Sequence, residues 1–460
     1  MSEGLKKNDV VTLTITDLGS TGEGIGRFEG FTLFVKDALI GDVIQAKIIK
    51  MKKSYGYGRL IEILTPSPYR VEVRCPQARA CGGCQIQPLD YGRQLIYKEN
   101  KVRELLDRVG KLSDYQMEPI IGMEEPWHYR NKAQFPVGQA KDGQVVTGFY
   151  AGRTHSIVPV EECFIQHREN EKLMAIVRQW MEQHHISAYD EKEHKGLVRH
   201  IFTRIGKHTG EIMVCLVING KKVPGEEDLI KVLAEVPGMT SICLNINRER
   251  TNVILGSEIK CLWRQPYITD AIGDVKYQIS PLSFFQVNPI QTEKLYKTAL
   301  EYAQLQGNET VWDLYCGIGT ISLFLAKHAK QVCGVEIIPE AIEDARENAH
   351  LNQIQNARFF VGKAEEVLPE QYEKNGIFAD VIVVDPPRKG CDEKLLKCMT
   401  AMAPKRIVYV SCDPATLARD LKYMEEHGYK VQKVRCVDMF PHSVHVETVI
   451  LMTHCGKNDK

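Results

Sequence analysis

In "VSCDPATLARD", residues 410–420, Cys412 stands where the apolar strand "RIVY" ends and the helix "PATLARDL" begins. Asp413 is placed to cap that helix and Pro414 suits its first position. A helix N-terminus favours anions, so it favours a thiolate, unless the Asp413 carboxylate lies close and opposes it. Taken alone, a cysteine is more often a small buried hydrophobe than a reagent. A second group changes the weighing: Glu447, in "HSVHVETVI", is a carboxylate in an apolar strand, where burial would raise its pKa.

"DLYCGIGTISLFLA", residues 313–326, follows a strand and opens a helix, and Gly317 and Gly319 let the backbone turn tightly against a ligand. Glu336 ends the next strand 23 positions after Asp313, where an acidic side chain can accept both ribose hydroxyls. A dinucleotide fingerprint would need a third glycine at 322, and Ser322 stands there. An adenosine ligand without phosphates fits better, and S-adenosylmethionine is such a ligand. "VVDPPRKG", residues 383–390, puts Asp385 at the carboxyl edge of the sheet, where ligands bind in these folds.

Methyl transfer to nitrogen or oxygen needs no protein nucleophile, so a catalytic thiol points to a carbon that must first be activated. C5 of a pyrimidine is one. The thiolate adds to C6, C5 then takes the methyl group, and a base removes the C5 proton so that the thiol can leave.

"CPQARACGGCQIQ" spaces Cys75, Cys81 and Cys84 as C-x5-C-x2-C. Three thiolates at this spacing can share one metal centre, and spacing alone does not choose the fourth ligand or decide between an iron-sulfur cluster and zinc.

The elements that must position these groups fall into three regions. Residues 1–65 hold short alternating strands such as "VVTLTI" and "FTLFVK", which suggest a small closed barrel of the oligonucleotide-binding type. Residues 66–265 carry the cysteines, a helix around "LIYKENKVRELLDRVG", and the hairpin strands "GLVRHIFTRIG" and "GEIMVCLVI", an α+β middle. Residues 266–460 alternate strands with helices, as in a Rossmann-like, doubly wound α/β sheet, and close on an antiparallel pair.

The apolar fraction of 43% and charged fraction of 26% suit a globular chain, and no apolar run approaches the roughly 20 residues of a membrane span. The N-terminus lacks a signal-type apolar stretch, so a cytoplasmic location is expected. Net charge is zero, yet residues 44–74 hold Lys47, Lys50, Lys52, Lys53, Arg59, Arg70 and Arg74 against Glu62 and Glu72, a candidate phosphate footprint. Lys195, Arg199, Arg204 and Lys207 could add contacts, and Tyr55, Tyr57 and Phe149 could stack on bases.

With "DLYCGIGTISL", "GVE", "DPPRKG", "SCDPATLARD" and "HVETV" in this order, and "SFFQVN" at 283–288, the sequence resembles the S-adenosylmethionine-dependent RNA uracil-5-methyltransferases. The resemblance covers the whole chain. It implies a class I methyltransferase domain, an N-terminal TRAM barrel, and a middle like that of the iron-sulfur members that modify one or two uridines of 23S ribosomal RNA. It assigns Cys412 as nucleophile and Glu447 as base, and gives Gln286, Tyr315, Glu336 and Asp385 to the cofactor. Asn288 is assigned to the uracil or to the fold of the site. It adds Cys163 to Cys75, Cys81 and Cys84 as ligands of a [4Fe-4S] cluster, with zinc as the alternative. Rival readings are a methyltransferase acting on transfer RNA and a non-catalytic RNA-binding assembly factor. Retention of both Cys412 and Glu447 argues against the second, and no obligate protein partner is implied.

Overall fold

The computed structural model describes residues 5–152 and 154–455. The chain divides into two compact units: residues 1–98, 149–158 and 440–445 form the first, and residues 99–148, 159–439 and 446–460 the second. The sequence reading divides the chain differently, into three regions.

The first unit begins with β1 (Val10–Leu18), β2 (Gly24–Phe28), β3 (Phe31–Lys36), β4 (Val43–Met51) and β5 (Tyr55–Thr65). They close into a barrel in the order β1-β2-β3-β5-β4, as the alternating pattern leads one to expect. Val11, Leu13, Ile15, Leu33, Val35, Ile44 and Ile48 point inward and form its core. Gly26 is required here, because a Cβ at this position would come within 2.5 Å of the Thr14 carbonyl oxygen across the β1–β2 pair.

Asp42 is fully buried at the end of the barrel and serves as its polar anchor. Its carboxylate accepts from Leu39 N at 2.7 Å, Ser67 N at 2.9 Å, and Arg70 Nε and Nη2 at 2.8 and 2.6 Å. Burial alone would raise its pKa, but the guanidinium and the amides outweigh this and hold it below the ordinary carboxylate value. Arg70 is therefore a strut, and this corrects its place in the candidate phosphate footprint. The ion pair spans 28 residues, which hides it from local sequence patterns.

The helix expected around residues 95–110 is α1 (Tyr91–Leu105), continued by a π-helical turn at Leu106–Gly110. The strands that follow are β6 (Gln116–Ile121), β7 (Lys132–Gln139), β8 (Val145–Tyr150) and β9 (Ile157–Pro159). After α2 (Glu169–Gln183) come β10 (Val198–Ile205) and β11 (Ile212–Ile218), an antiparallel pair as expected, then α3 (Glu226–Ala234), β12 (Met239–Ile246) and β13 (Glu258–Arg264). Strands β13, β12, β11, β10, β7 and β8 lie side by side in that order. β10 and β11 are buried along their whole length, which explains the unbroken apolar run of β11, whereas β10 buries Arg199, His200, Thr203 and Arg204 among its apolar residues. Arg199, another candidate phosphate ligand, is buried and donates to the carbonyls of Asn247, Glu249 and Thr251. It holds a loop, a second correction of the same kind.

A hairpin, β14 (Ile268–Ile272) and β15 (Val275–Ile279), leads into an eight-stranded sheet and its helices. That sheet contains α4 (Pro289–Ala303), β16 (Thr310–Leu314), α5 (Thr320–Ala326), β17 (Gln331–Glu336), α6 (Pro339–Leu351), β18 (Ala357–Val361), α7 (Ala364–Asn375) and β19 (Val381–Val384). It continues through α8 (Glu393–Met402), β20 (Arg406–Ser411), α9 (Pro414–Glu426), β21 (Tyr429–Val437) and β22 (Glu447–His454). The strand order is β18-β17-β16-β19-β20-β22-β21-β6. β18 through β20 are parallel, and β22 enters antiparallel between β20 and β21. β6 adds an edge that the sequence did not reveal. Among the described residues no helix is long and apolar enough to cross a membrane.

Asp42→Ala should strand the Arg70 guanidinium and the Leu39 and Ser67 amides, at a cost of about 3–5 kcal/mol to the first unit. With a depressed carboxylate, the Asp42 contribution is complete above pH about 4 and is lost as pH falls through its folded pKa. Thermal melts of the variant and wild type from pH 2 to pH 7 should therefore converge at the acid end.

Candidate active site

The carboxyl ends of the parallel strands bring the candidate residues together. Leu314 of β16 pairs with Val335 of β17 and with Val384 of β19, so Tyr315, Glu336 and Asp385 occupy adjacent strand ends. Tyr315 sits at φ 66°, a left-handed conformation that is costly for an aromatic residue and is typical of a functional turn. On the other side Ser411 of β20 pairs with Thr448 of β22, which sets Cys412 beside Glu447. The antiparallel entry of β22 is thus what delivers a carboxylate to the thiol.

Charges at this edge act on one another. Asp385 is pushed up to about 7 by burial. Glu447 is pushed up to about 8 by burial and by the Asp385 charge, while Arg388 works to lower it. The Cys412 thiol is pushed up to about 12 by burial, then by Glu447 and Asp385, against Arg388. This corrects the expectation that the helix N-terminus holds a thiolate. The amides at that terminus are taken: Asp413 Oδ1 accepts from Ala415 N at 3.0 Å and Thr416 N at 3.1 Å. With its pKa raised to about 12, Cys412 rests as a neutral thiol.

Two side chains that sequence reading passed over belong to this site. Arg388, inside the quoted "DPPRKG", is the cation that acts on both Cys412 and Glu447. Its loop is clamped by α9: Thr416 Oγ1 donates to Arg388 O at 3.0 Å, and Arg419 Nη2 donates to Lys389 O at 2.9 Å. Asp420, fully buried, accepts from Cys391 N at 2.8 Å and from Tyr409 at 2.7 Å. Gly390, at φ 76°, is needed because a Cβ there would lie 2.6 Å from both Arg419 Nη2 and Asp420 Oδ2. The second is Asp313, fully buried, with Oδ2 accepting from Ser322 Oγ at 2.5 Å and Oδ1 left without a partner among the described residues. Burial and then the charges of Asp385 and Glu336 raise it to about 7, the Ser322 hydrogen bond opposing. The signal for both was available, since each lies in a motif quoted for its neighbours.

These features fit a cationic adenosine ligand. Asp313, Glu336 and Asp385 concentrate negative charge, and a Cβ added at Gly317 would meet nothing within 4 Å. Glu336 is fixed by Ile337 N and Ile338 N, which donate to Oε1 at 2.8 and 3.1 Å, and Gly317 N, which donates to Oε2 at 3.3 Å. Gln286 lies between β15 and α4, and both flanks anchor on the glycine loop. Tyr277 donates to Thr320 O at 2.9 Å and Tyr296 to Thr320 Oγ1 at 2.8 Å. Asn288 caps α4 by accepting from Gln291 N at 3.2 Å and donates to Met439 O at 3.0 Å, so its work is in the fold of the site.

The cysteine set is distributed differently. Cys75, Cys81 and Cys84 lie in the first unit, where the Cys81 thiol is raised by burial and also by the Cys75 charge, and lowered by the Gly83 amide. Cys163 belongs to the second unit. Among the described residues, no three His, Cys, Asp or Glu side chains converge where a metal ion could be held.

Residues 90–455 match the family described as tRNA (Uracil-5-)-methyltransferase, and residues 5–61 match the TRAM domain. An uncharacterized RNA methyltransferase of Clostridium tetani is 52% identical over 457 residues, 99% of each chain. Another from Halalkalibacterium halodurans is 51% identical over 449 residues, 97% of this chain and 98% of its own. The structure of the Pyrococcus abyssi tRNA (uracil-54, C5)-methyltransferase, in complex with S-adenosyl-L-homocysteine, superposes with a TM-score of 0.79. It is 28% identical and covers 96% of this chain and 100% of its own. The chain belongs to the S-adenosylmethionine-dependent RNA (uracil-5-)-methyltransferase family and carries a TRAM domain at its N-terminus.

Proposed function

We propose that this enzyme methylates C5 of uridines in 23S ribosomal RNA, with Cys412 as nucleophile and Glu447 as base. The observation that carries the reading is the meeting of a half-buried thiol with a buried carboxylate raised to about 8, next to Asp385 and Arg388. Methylation of nitrogen or oxygen would need neither.

Cys412 Sγ adds to C6 of uracil as its proton passes to solvent, and the electron pair of the C5–C6 double bond moves through C5 onto the C4 carbonyl oxygen. The cofactor supplies the methyl group that C5 takes up. Glu447, ionised, removes the C5 proton; the C5–C6 double bond re-forms and Sγ leaves. A carboxylate with its pKa near 8 is a stronger base than a solvated one and is matched to proton removal near neutrality. Arg388 moderates both pKa values. Gln286, Tyr315, Glu336 and Asp385 would hold the cofactor, with the buried Asp313 adding its charge behind them. The target uracil must be extruded from stacking or found in a loop.

Transfer RNA is the second reading. The Pyrococcus abyssi tRNA enzyme aligns over 96% of this chain, leaving too little outside for the barrel to count against this reading. The cysteine set favours ribosomal RNA through the resemblance of its middle region to the iron-sulfur members. On that reading Cys75, Cys81, Cys84 and Cys163 hold a [4Fe-4S] cluster, zinc being the alternative, and no chemical step passes through it.

Incubation with labelled S-adenosylmethionine and separate ribosomal and transfer RNA should place 5-methyluridine in 23S RNA; label confined to transfer RNA would select the second reading. Glu447→Gln should slow product formation by about 10²–10⁴-fold and accumulate protein–RNA adduct, because the C5 proton is retained. The rate should rise with pH as Glu447 ionises, and Arg388→Gln, by removing a cation, should move that rise to higher pH. Protein purified without oxygen should be brown with about four irons per chain. A colourless, zinc-loaded preparation would contradict the cluster.

A further inference from the structure

Arg204 is 1% exposed, one residue from the end of β10. Its Nη2 donates to Ser283 O at 2.9 Å, whereas Nε and Nη1 have no hydrogen-bond partner among the described residues. Directly opposite it, across the antiparallel β10–β7 pair, stands Lys132. Like charges in that position repel, and a guanidinium stays charged even when buried. Arg130, half-buried, lies two residues before Lys132. Among the described residues no carboxylate forms an ion pair with Arg130, Lys132 or Arg204. Burial, and then Arg204 and Arg130, pull the Lys132 ammonium down to about 8, so the three cations act on one another. Proteins bury charge when it is paired, and among the described residues no pairing anion is supplied.

The cluster is joined to the active site by hydrogen bonds. Asn131, between Arg130 and Lys132, donates through Nδ2 to Gln286 O at 3.0 Å and through its backbone N to Val287 O at 2.8 Å. Arg204 grips Ser283 O at the other end of the same segment. Phe284, between those two grips, is 64% exposed.

We infer that Lys132 and Arg204, with Arg130 beside them, form a binding site for a backbone phosphate of the substrate RNA, close to the extruded nucleotide. The inference rests on the proposed reading that RNA is the methyl acceptor. A phosphodiester supplies acceptor oxygens for a planar guanidinium and a lysine together, and every nucleotide brings one. Ligation would balance the buried charge and fix the Ser283–Val287 segment, coupling RNA docking to the residue at 286.

The test measures equilibrium binding of a 23S RNA transcript between 0.05 and 0.3 M salt (about the range over which phosphate contacts are resolved), with S-adenosylmethionine binding followed by calorimetry. Lys132→Ala should weaken RNA binding about tenfold at physiological salt and reduce the slope of log Kd against log salt by about one. Lys132→Arg should retain both, and cofactor affinity should be unchanged in each. Arg204→Lys, which keeps charge but loses the fork, should weaken RNA binding while thermal melts report its fold. Unchanged RNA affinity and slope in Lys132→Ala would overturn the inference. So would a loss of cofactor affinity instead, since the anion would then be the cofactor's carboxylate. If Lys132→Ala loses RNA affinity while the wild type methylates no uridine, the phosphate site stands and the functional reading falls.

Discussion

The site is organised around two buried carboxylates, Asp385 and Glu447, close enough that the Asp385 charge raises Glu447 and both act on a thiol. Like charges in a low dielectric cannot both ionise cheaply, so the resting site stores protons that solvated acids would release. Everything nearby serves that arrangement. The parallel strands bring Asp385 to their carboxyl edge, the antiparallel β22 brings Glu447 to Cys412, and α9 pins the loop that carries Arg388. The cost falls on stability: a carboxyl group whose folded pKa is raised stabilises the fold below its unfolded pKa, and that contribution is lost as pH rises through the folded value. For Asp313, Asp385 and Glu447 the window runs from pH about 4 to pH about 8. Binding of a cationic cofactor among these acids would return part of it.

Much of this was legible in the sequence because the signals are local. The barrel declared itself through alternation, with Val11, Leu13 and Ile15 inward, and the catalytic sheet through strands and helices in turn. Cys412, Asp385 and Glu336 could be placed at strand ends because each closes an apolar run. β6 could not be seen, since "QMEPII" carries a proline, is only half-buried and pairs with a strand more than 300 residues away.

The misread residues share one cause. Arg70 and Arg199 looked like surface cations, but their partners, Asp42 and the carbonyls of residues 247–251, lie 28 and about 50 positions away. Sequence neighbours report charge density, whereas folding decides which charges remain for a ligand. The same logic sets Arg204 apart, because folding buries it opposite Lys132 without supplying an anion. The thiolate expectation failed for a related reason: the helix dipole was counted, but the acids on β19 and β22 were not yet known to face the same point.

The central claim is that the Cys412 thiol forms a bond to the uracil ring. The most direct measurement is to incubate the wild type and Cys412→Ala with S-adenosylmethionine and RNA containing 5-fluorouridine, then digest and sequence the linked peptide by mass spectrometry. Fluorine at C5 cannot leave as a proton, so the wild type should be trapped through the peptide containing Cys412, and Cys412→Ala should yield no adduct. An adduct of equal yield in Cys412→Ala, or one mapped to another cysteine, would contradict the account.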